Sequence, residues 1–268
     1  MRWGRRCLPH TPSARGQSPL DHRQWSPVQG PAGPWRGGAG GAALPLLLLL
    51  AACAPTPARP PEAGLAATAT VAEIRSGEAP NCNASGAAIH LGGGRFVTAA
   101  HVVDGSVQRL RGFCPPDRQG QPAVTLGVRG TEAPARILRA GRDRVDAGIG
   151  QRYWGGEDLA IVTPTRALPA LPAATPCAAA PAPGTPALLV TPRRAIRTRL
   201  LAPWSDPDRA FGSYLEIPET LAPGESGGAV FEAASGCLAG IVSHRDSDGG
   251  PPSTRLVPAS TIARFMQP

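Results

Sequence analysis

Residues 224–231 read GESGGAVF: a serine set among three glycines, followed at once by an apolar run. The glycines predict a tight turn that leaves the Ser226 hydroxyl uncrowded, and the run after it predicts a strand. Two further stretches have the same build, a polar residue at the end of a short apolar segment. Residues 96–103 read FVTAAHVV, a strand that delivers the chain to His101 behind two small residues. Residues 157–162 read EDLAIV, with Asp158 immediately ahead of a strand.

Taken together the three support nucleophilic catalysis. A serine hydroxyl is a poor nucleophile at neutral pH and needs a positioned base to take its proton. His101 is the candidate base, and then the acid that protonates the leaving group. Asp158 is the candidate that fixes the imidazole tautomer and stabilises the imidazolium. The N–H groups of Gly224 and Ser226 are expected to point at the developing oxyanion. GESGG also fits the G-x-S-x-G nucleophile elbow, but that arrangement wants a helix after the serine and the acid and histidine later in the chain. Here a strand follows, and only 42 residues remain after Ser226.

Away from the motifs, short apolar runs alternate with Gly, Pro and Asp. Strands are expected at 86–91, 95–99, 107–113, 123–129, 135–140 and 158–163, and again at 186–191, 196–202, 213–217, 228–232, 237–243 and 254–257. The segment 258–267 has the one helical period, opened by Pro258 or Ser260. Between the two sets, residues 167–186 (ALPALPAATPCAAAPAPGTP) read as a linker. The expectation is an all-β chain of two six-stranded antiparallel barrels, 71–166 and 187–268, with a short C-terminal helix.

The net charge of +8 raises the question of nucleic acid, but its distribution argues against it. Residues 1–52 hold six Arg and one Asp, and residues 53–268 hold 21 Arg against 18 acids. The remaining arginines are scattered rather than striped, so no nucleic-acid partner is expected. Residues 42–52 (AALPLLLLLAA) are too short to cross a bilayer as an ordinary helix and have the length of a signal-peptide core. The long polar leader before residue 36 suggests a true start further in. Residues 53–70, rich in Pro and Ala, read as a flexible tether.

Six cysteines are present. With Cys7 in the leader and Cys53 beside the apolar run, Cys82, Cys114, Cys177 and Cys237 remain, an even number that suits two disulfides in an exported domain. Four allow three pairings; Cys82–Cys114 with Cys177–Cys237 is favoured because each then staples one half of the chain. No C-x-x-C or H-x-x-x-H spacing occurs, so neither a metal site nor a cofactor is expected.

The order His101, Asp158, Ser226, with separations of 57 and 68 residues, resembles the chymotrypsin-like serine proteases. TAAHVV, DLAIV and GESGGAVF each look like that family's signature. LAGIVSH, residues 238–244, resembles the strand lining its specificity pocket, with Ser243 beside the Asp. The resemblance implies a double β-barrel endopeptidase acting on polypeptides through an acyl-enzyme. It also places Thr220 near the pocket base and Ser243, His244 and Arg245 along its wall. A neutral base argues against a Lys/Arg preference, and Arg245 either favours an acidic side chain or blocks the pocket. SGAAIHLGGGRFVTAAHVV and TRLVPASTIARFM look like the HtrA branch, but with residue 268 the last, the PDZ domain common there is expected to be missing. Glu225 stands where many relatives have an Asp that pairs with a newly freed N-terminus, so no zymogen switch of that kind is expected.

Leu50-Ala51-Ala52-Cys53 resembles a bacterial lipobox. It implies lipidation of Cys53 and attachment to the cell envelope, at the outer membrane or facing the periplasm, with plain secretion as the alternative. The competing functions are a non-catalytic binding protein on the same fold, and an esterase or acyltransferase using the same acyl-enzyme.

Overall fold

The computed structural model describes residues 70–77, 82–106, 122–146, 150–245 and 251–267, all within one compact unit, Pro55–Pro268. The leader, Cys53, the tether up to residue 69, the expected strand 107–113 and Cys114 lie outside the described residues. No helix among the described residues is long and apolar enough to cross a membrane.

The first half forms strands β1 (Val71–Ser76), β2 (Ala84–His90) and β3 (Phe96–Thr98), a one-turn helix α1 (Ala100–Val103), β4 (Val124–Val128) and β5 (Thr131–Ala140). A hairpin follows, β6 (Asp143–Asp146) with β7 (Gly150–Tyr153), and then β8 (Ala160–Pro164). Six of these strands close a barrel in the order β1-β2-β3-β8-β5-β4. Alternation dictates its lining: Ile74, Ala88, Phe96, Leu126 and Val162 point inward and form one core. The closing strand, β1, falls where no strand is expected from the sequence. Its inward positions are Ala72, Ile74 and Ser76, too little apolar bulk to betray a core-facing strand.

The second half supplies β9 (Pro186–Val190), β10 (Ala195–Arg199), β11 (Trp204–Ser205), β12 (Ser213–Ile217), β13 (Ala229–Glu232), β14 (Leu238–Arg245), β15 (Thr254–Pro258) and α2 (Ala259–Phe265). All six expected strands and the terminal helix are present. Their hydrogen bonding is that of a seven-stranded sheet, β10-β9-β13-β14-β15-β12-β11, where a six-stranded barrel was expected. The added strand, β11, is two residues long and leaves no period to read.

A second core lies inside this sheet, with Leu189, Ile217, Val230 and Leu256 among its members. A third joins the halves. Ile89, Val97 and Ile161 from the first barrel pack with Phe231, Ile241 and Val257 from the sheet and with Ile262 and Phe265 from α2. This explains why β2 and β14 are buried almost continuously rather than alternately: each has one face in its own core and the other against the neighbouring half. The helix α2 is held on the first barrel by Arg139, whose Nη1 donates to the carbonyls of Phe265 (3.0 Å) and Gln267 (3.1 Å).

The Pro/Ala stretch between the halves is strapped down along its length. Ala174 N donates to His90 O at 2.8 Å, and Leu238 N to Thr175 O at 2.8 Å. Cys177 is disulfide-bonded to Cys237 with a Cα separation of 4.9 Å. Glu232 lies close to those two sulfurs, but the disulfide takes both and leaves no thiolate for a metal. Cys82 is also disulfide-bonded; its expected partner lies outside the described residues.

Candidate active site

The three predicted catalytic positions arise from three strand junctions. Beyond β3, Ala99 and Ala100 are fully buried, so the backbone packs tightly as it turns into α1 and presents His101. Asp158 precedes β8 and is 1% exposed. A carboxylate so buried must have its lone pairs satisfied. Asp158 Oδ1 accepts the backbone N–H of His101 at 3.0 Å, and Oδ2 accepts from His101 Nδ1 at 2.8 Å and from Ser243 Oγ at 2.6 Å. An ionised carboxylate only accepts, so Nδ1 carries the ring proton and the lone pair of neutral His101 lies on Nε2.

Burial is the largest influence on the His101 pKa and pulls it down. The charge and hydrogen bond of Asp158, with the charge of Asp104 behind them, outweigh burial and leave it above 6.5. For Asp158 burial pushes upward, but the His101 charge, its two hydrogen bonds and that of Ser243 hold the carboxyl below its ordinary value. Tyr153 donates to Asp104 at 2.6 Å; burial, reinforced by the charges of Asp158 and Asp104, drives its pKa up and keeps it a neutral donor.

Ser243 is itself held from behind. Its one proton goes to Asp158, so in the 2.9 Å contact with His244 it is the ring Nδ1–H that donates to Ser243 Oγ. Arg255 Nη1 then donates to His244 Nε2 at 3.5 Å, and its guanidinium lies 3.4 Å from the centre of the Trp204 ring. The register between β14 and β15 shifts by one residue between Val242 and Arg245. This bulge re-aims Ser243 toward the first barrel, as bulges beside functional sites commonly do.

Ser226 sits on a turn in which Gly224 and Gly227 have φ of +89° and +78°, a region that side chains disfavour. Gly227 N donates to Val242 O and Ala87 N to Ser226 O, each at 2.8 Å, so the turn is sewn to both halves. The glycines are required by space as well. A Cβ on Gly227 would stand 2.1 Å from Ala87 O, and one on Gly86 would stand 2.5 Å from Ser226 O. The N–H groups of Glu225, Gly227 and Gly228 all bond to backbone carbonyls. Those of Gly224 and Ser226 donate to no acceptor among the described residues.

Glu225, 1% exposed, is fixed by an arginine that the sequence does not single out. Arg194 Nε and Nη2 reach its two oxygens at 2.8 and 2.9 Å. The same carboxylate accepts from Ala222 N at 2.7 Å and Thr191 Oγ1 at 3.2 Å. Burial pushes the Glu225 pKa up, but the hydrogen bonds from Arg194 and Ala222, the Arg194 charge and Thr191 hold it low.

His101 and Ser226 line one cleft. On its β14 side a cavity of about 180 Å³ is bounded by Leu221, Val242, Ser243, His244, Arg245 and Thr254. Ser243, His244 and Arg245, expected along a pocket wall, thus line this cavity. Thr220 is not on this wall: it is exposed and its carbonyl is 3.5 Å from Arg194 Nη2, while its apolar neighbour Leu221 is buried in its stead. Thr254, unforeseen, completes the wall.

Many solved structures share this likeness, three of which illustrate it. The active form of the Rv3671c protease from M. tuberculosis superposes with a TM-score of 0.54 at 20% identity, covering 75% of this chain and 81% of that one. Its inactive form gives 0.53 at 19% identity, with 76% and 90% covered. The HtrA-type protease AlgW, solved with a tripeptide, gives 0.56 at 20% identity, with 78% of this chain and 62% of that one covered. These establish a shared fold. No curated protein sequence matches the chain. In sequence, residues 84–241 match the trypsin-like peptidase domain. That match runs from the first residue of β2 into β14 and takes in His101, Asp158 and Ser226, and the chain belongs to the trypsin-like peptidase family of serine-type peptidases.

Proposed function

We propose that the chain is a serine endopeptidase that cleaves peptide bonds through His101, Asp158 and Ser226. Support comes above all from the buried Asp158 carboxylate on His101 Nδ1, 2.8 Å away, which aims the opposite ring nitrogen into the cleft that Ser226 also lines.

His101 Nε2 takes the proton of Ser226 Oγ as Oγ bonds to the scissile carbonyl carbon. The carbonyl oxygen becomes an anion facing the N–H groups of Gly224 and Ser226. As it collapses, the C–N bond breaks and the amine leaves with the proton from His101, giving an ester on Ser226. Water, deprotonated by His101, attacks that ester; the acid departs and Oγ recovers its proton. Throughout, Asp158 stays ionised, and Ser243, held by His244, keeps it oriented. The Arg194–Glu225 pair holds the 221–226 loop from within the chain, the task that many relatives assign to a freed N-terminus.

Labelling with a fluorophosphonate probe tests this. Wild type is expected to label on Ser226, mapped by peptide mass spectrometry, and Ser226→Ala to stay unlabelled. Folded, oxidised wild type without labelling would mean a binding protein on a peptidase fold.

The apolar run 42–52 ending at Cys53 supports export and lipid attachment of that cysteine to the cell envelope. Mass spectrometry of the mature N-terminus is expected to find a diacylglyceryl-modified Cys53, and a mature chain beginning well before it contradicts the assignment.

A further inference from the structure

Two adjacent arginines occupy the turn between β9 and β10, and Glu225 ties down only the second. Arg194 is bonded to Glu225. The guanidinium of Arg193 makes no ion pair or hydrogen bond among the described residues. Its backbone is nevertheless fixed: Arg193 N donates to Thr191 Oγ1 at 3.3 Å, and Thr191 N to Arg194 O at 2.9 Å. Thr191 in turn donates to Glu225. The turn is therefore anchored to the residue beside the nucleophile, and Arg193 starts from a rigid base.

The guanidinium lies over the Ser226 turn. A Cβ placed on Gly224 would meet Arg193 Nη2 at 3.0 Å and Ser85 Oγ at 3.1 Å. These groups bound a cavity of about 300 Å³. Asn83, Ser85, Arg193 and Gly224 line it together with His101 and Ser226. The cavity against β14 shares His101, Pro223 and Ser226 with it and extends along Val242–Arg245. A peptide bond presented to Ser226 therefore has one of these spaces on each side. With the β14 side taking the acyl portion, as the family likeness implies, the Arg193 side takes the leaving portion.

Its chemistry is one-sided. A guanidinium, a hydroxyl and an amide offer donors, and among the described residues no acidic side chain lines the space. The nearby acids, Asp158 and Glu225, are buried and already bonded. We infer that this cavity is a subsite for a carboxylate on the leaving-group side of the scissile bond, held by Arg193 with Asn83 and Ser85. This rests on the peptidase reading of the same cleft. The carboxylate has two possible sources, an Asp or Glu side chain within the substrate or the substrate's own C-terminus. Arg is suited to either through its planar pair of donors.

The test uses quenched fluorogenic peptides that differ at the first two leaving-group positions, Glu or Asp against Gln or Asn, each with a free or amidated C-terminus. kcat/KM is measured for wild type, Arg193→Gln and Arg193→Glu, and the same peptides are titrated into Ser226→Ala, with and without the Arg193 changes, by fluorescence anisotropy. Because Arg193 is solvent-exposed, the expected preference for the carboxylate is about five- to tenfold at low salt and shrinks at 1 M salt. Arg193→Gln brings it within about twofold, and Arg193→Glu reverses it in favour of the neutral peptides. A preference that follows the internal residue assigns the side chain; one lost on amidation assigns the terminus. Equal use of acidic and neutral peptides by wild type, or a preference that survives in Arg193→Glu, overturns the subsite. Arg193-dependent binding without turnover of any peptide overturns the peptidase reading and leaves the subsite standing.

Discussion

The two halves of the site are held by different kinds of force. Around His101 the structure is built outward from one buried charge. Asp158 gathers a ring N–H, a backbone N–H and a hydroxyl, and position follows from the need to satisfy a carboxylate away from water. Around Ser226 the requirement is on the backbone. Two glycines adopt φ near +80° to +90°, the turn is wedged between Ala87 and Val242, and the charged pair Arg194–Glu225 acts as a prop rather than a participant. Each half also reaches into the other: Ser243 crosses to Asp158, and Ala87 N bonds to Ser226 O. The first half is a problem of electrostatics and the second a problem of space, so substitutions in the two should fail differently.

The largest effect is expected from Asp158→Asn. An amide presents its NH₂ to Nδ1 and puts the ring proton on Nε2, the wrong tautomer for a base. kcat/KM should fall about 10⁴-fold while circular dichroism shows the strands intact. Gly227→Ala should do the reverse. Its Cβ would lie 2.1 Å from Ala87 O at φ +78°, so stability in urea should drop by roughly 3 kcal/mol or more before activity can be assessed. Gly236 provides the control: φ is +71° with nothing within 4 Å, and Gly236→Ala should lose only about 1 kcal/mol.

Arg194→Ala sharpens the contrast at a smaller scale. It leaves a buried carboxylate beside the nucleophile with only Ala222 N and Thr191 Oγ1 as donors. Because Arg194 is 40% exposed, water replaces part of what is lost. A stability loss of about 1–3 kcal/mol and roughly tenfold slower fluorophosphonate labelling are expected. Arg194→Lys should recover only part, since one ammonium cannot serve both carboxylate oxygens.

The pH response is the gentlest probe. The proposed mechanism needs neutral His101, whose pKa is raised, so kcat/KM should climb with pH through a limb above 6.5. Asp104→Asn removes one raising charge and should move that limb down. The linked stability runs the other way. A raised imidazole pKa stabilises the fold below 6.5, and this is lost as pH rises through the folded value. The lowered pKa values of Asp158 and Glu225 stabilise it above the ordinary carboxylate range and are lost as pH falls through theirs. Urea titrations between pH 3 and 9 measure both.

Local chemistry was legible in the sequence and long-range support was not. GESGG, TAAH and EDLA advertise themselves because a glycine turn, small residues behind a ring and an acid ahead of a strand are contiguous patterns. The strands of the second half were readable from runs between turns. β1 was not, because its inward face is Ala72, Ile74 and Ser76. Nor were Arg194 and Arg255: one arginine among 27 basic residues looks like solvated surface until a fold brings it to a carboxylate 31 residues away. The family resemblance puts Thr220 near the pocket base, whereas the buried Leu221, one residue on, lines the cavity. The bulge at Ser243–His244 depends on the register with β15, a partner that LAGIVSH alone does not disclose.

Groups from both halves are proposed to act as one unit, and a kinetic double-mutant cycle on His101 and Ser226 tests this directly. Single-turnover cleavage of a peptide is measured for wild type, His101→Ala, Ser226→Ala and the double variant. If base and nucleophile work on the same proton, the double variant should lose no more than either single one, with each loss about 10⁵- to 10⁶-fold. Losses that multiply in the double variant, or a Ser226→Ala enzyme that keeps cleaving, would contradict the account.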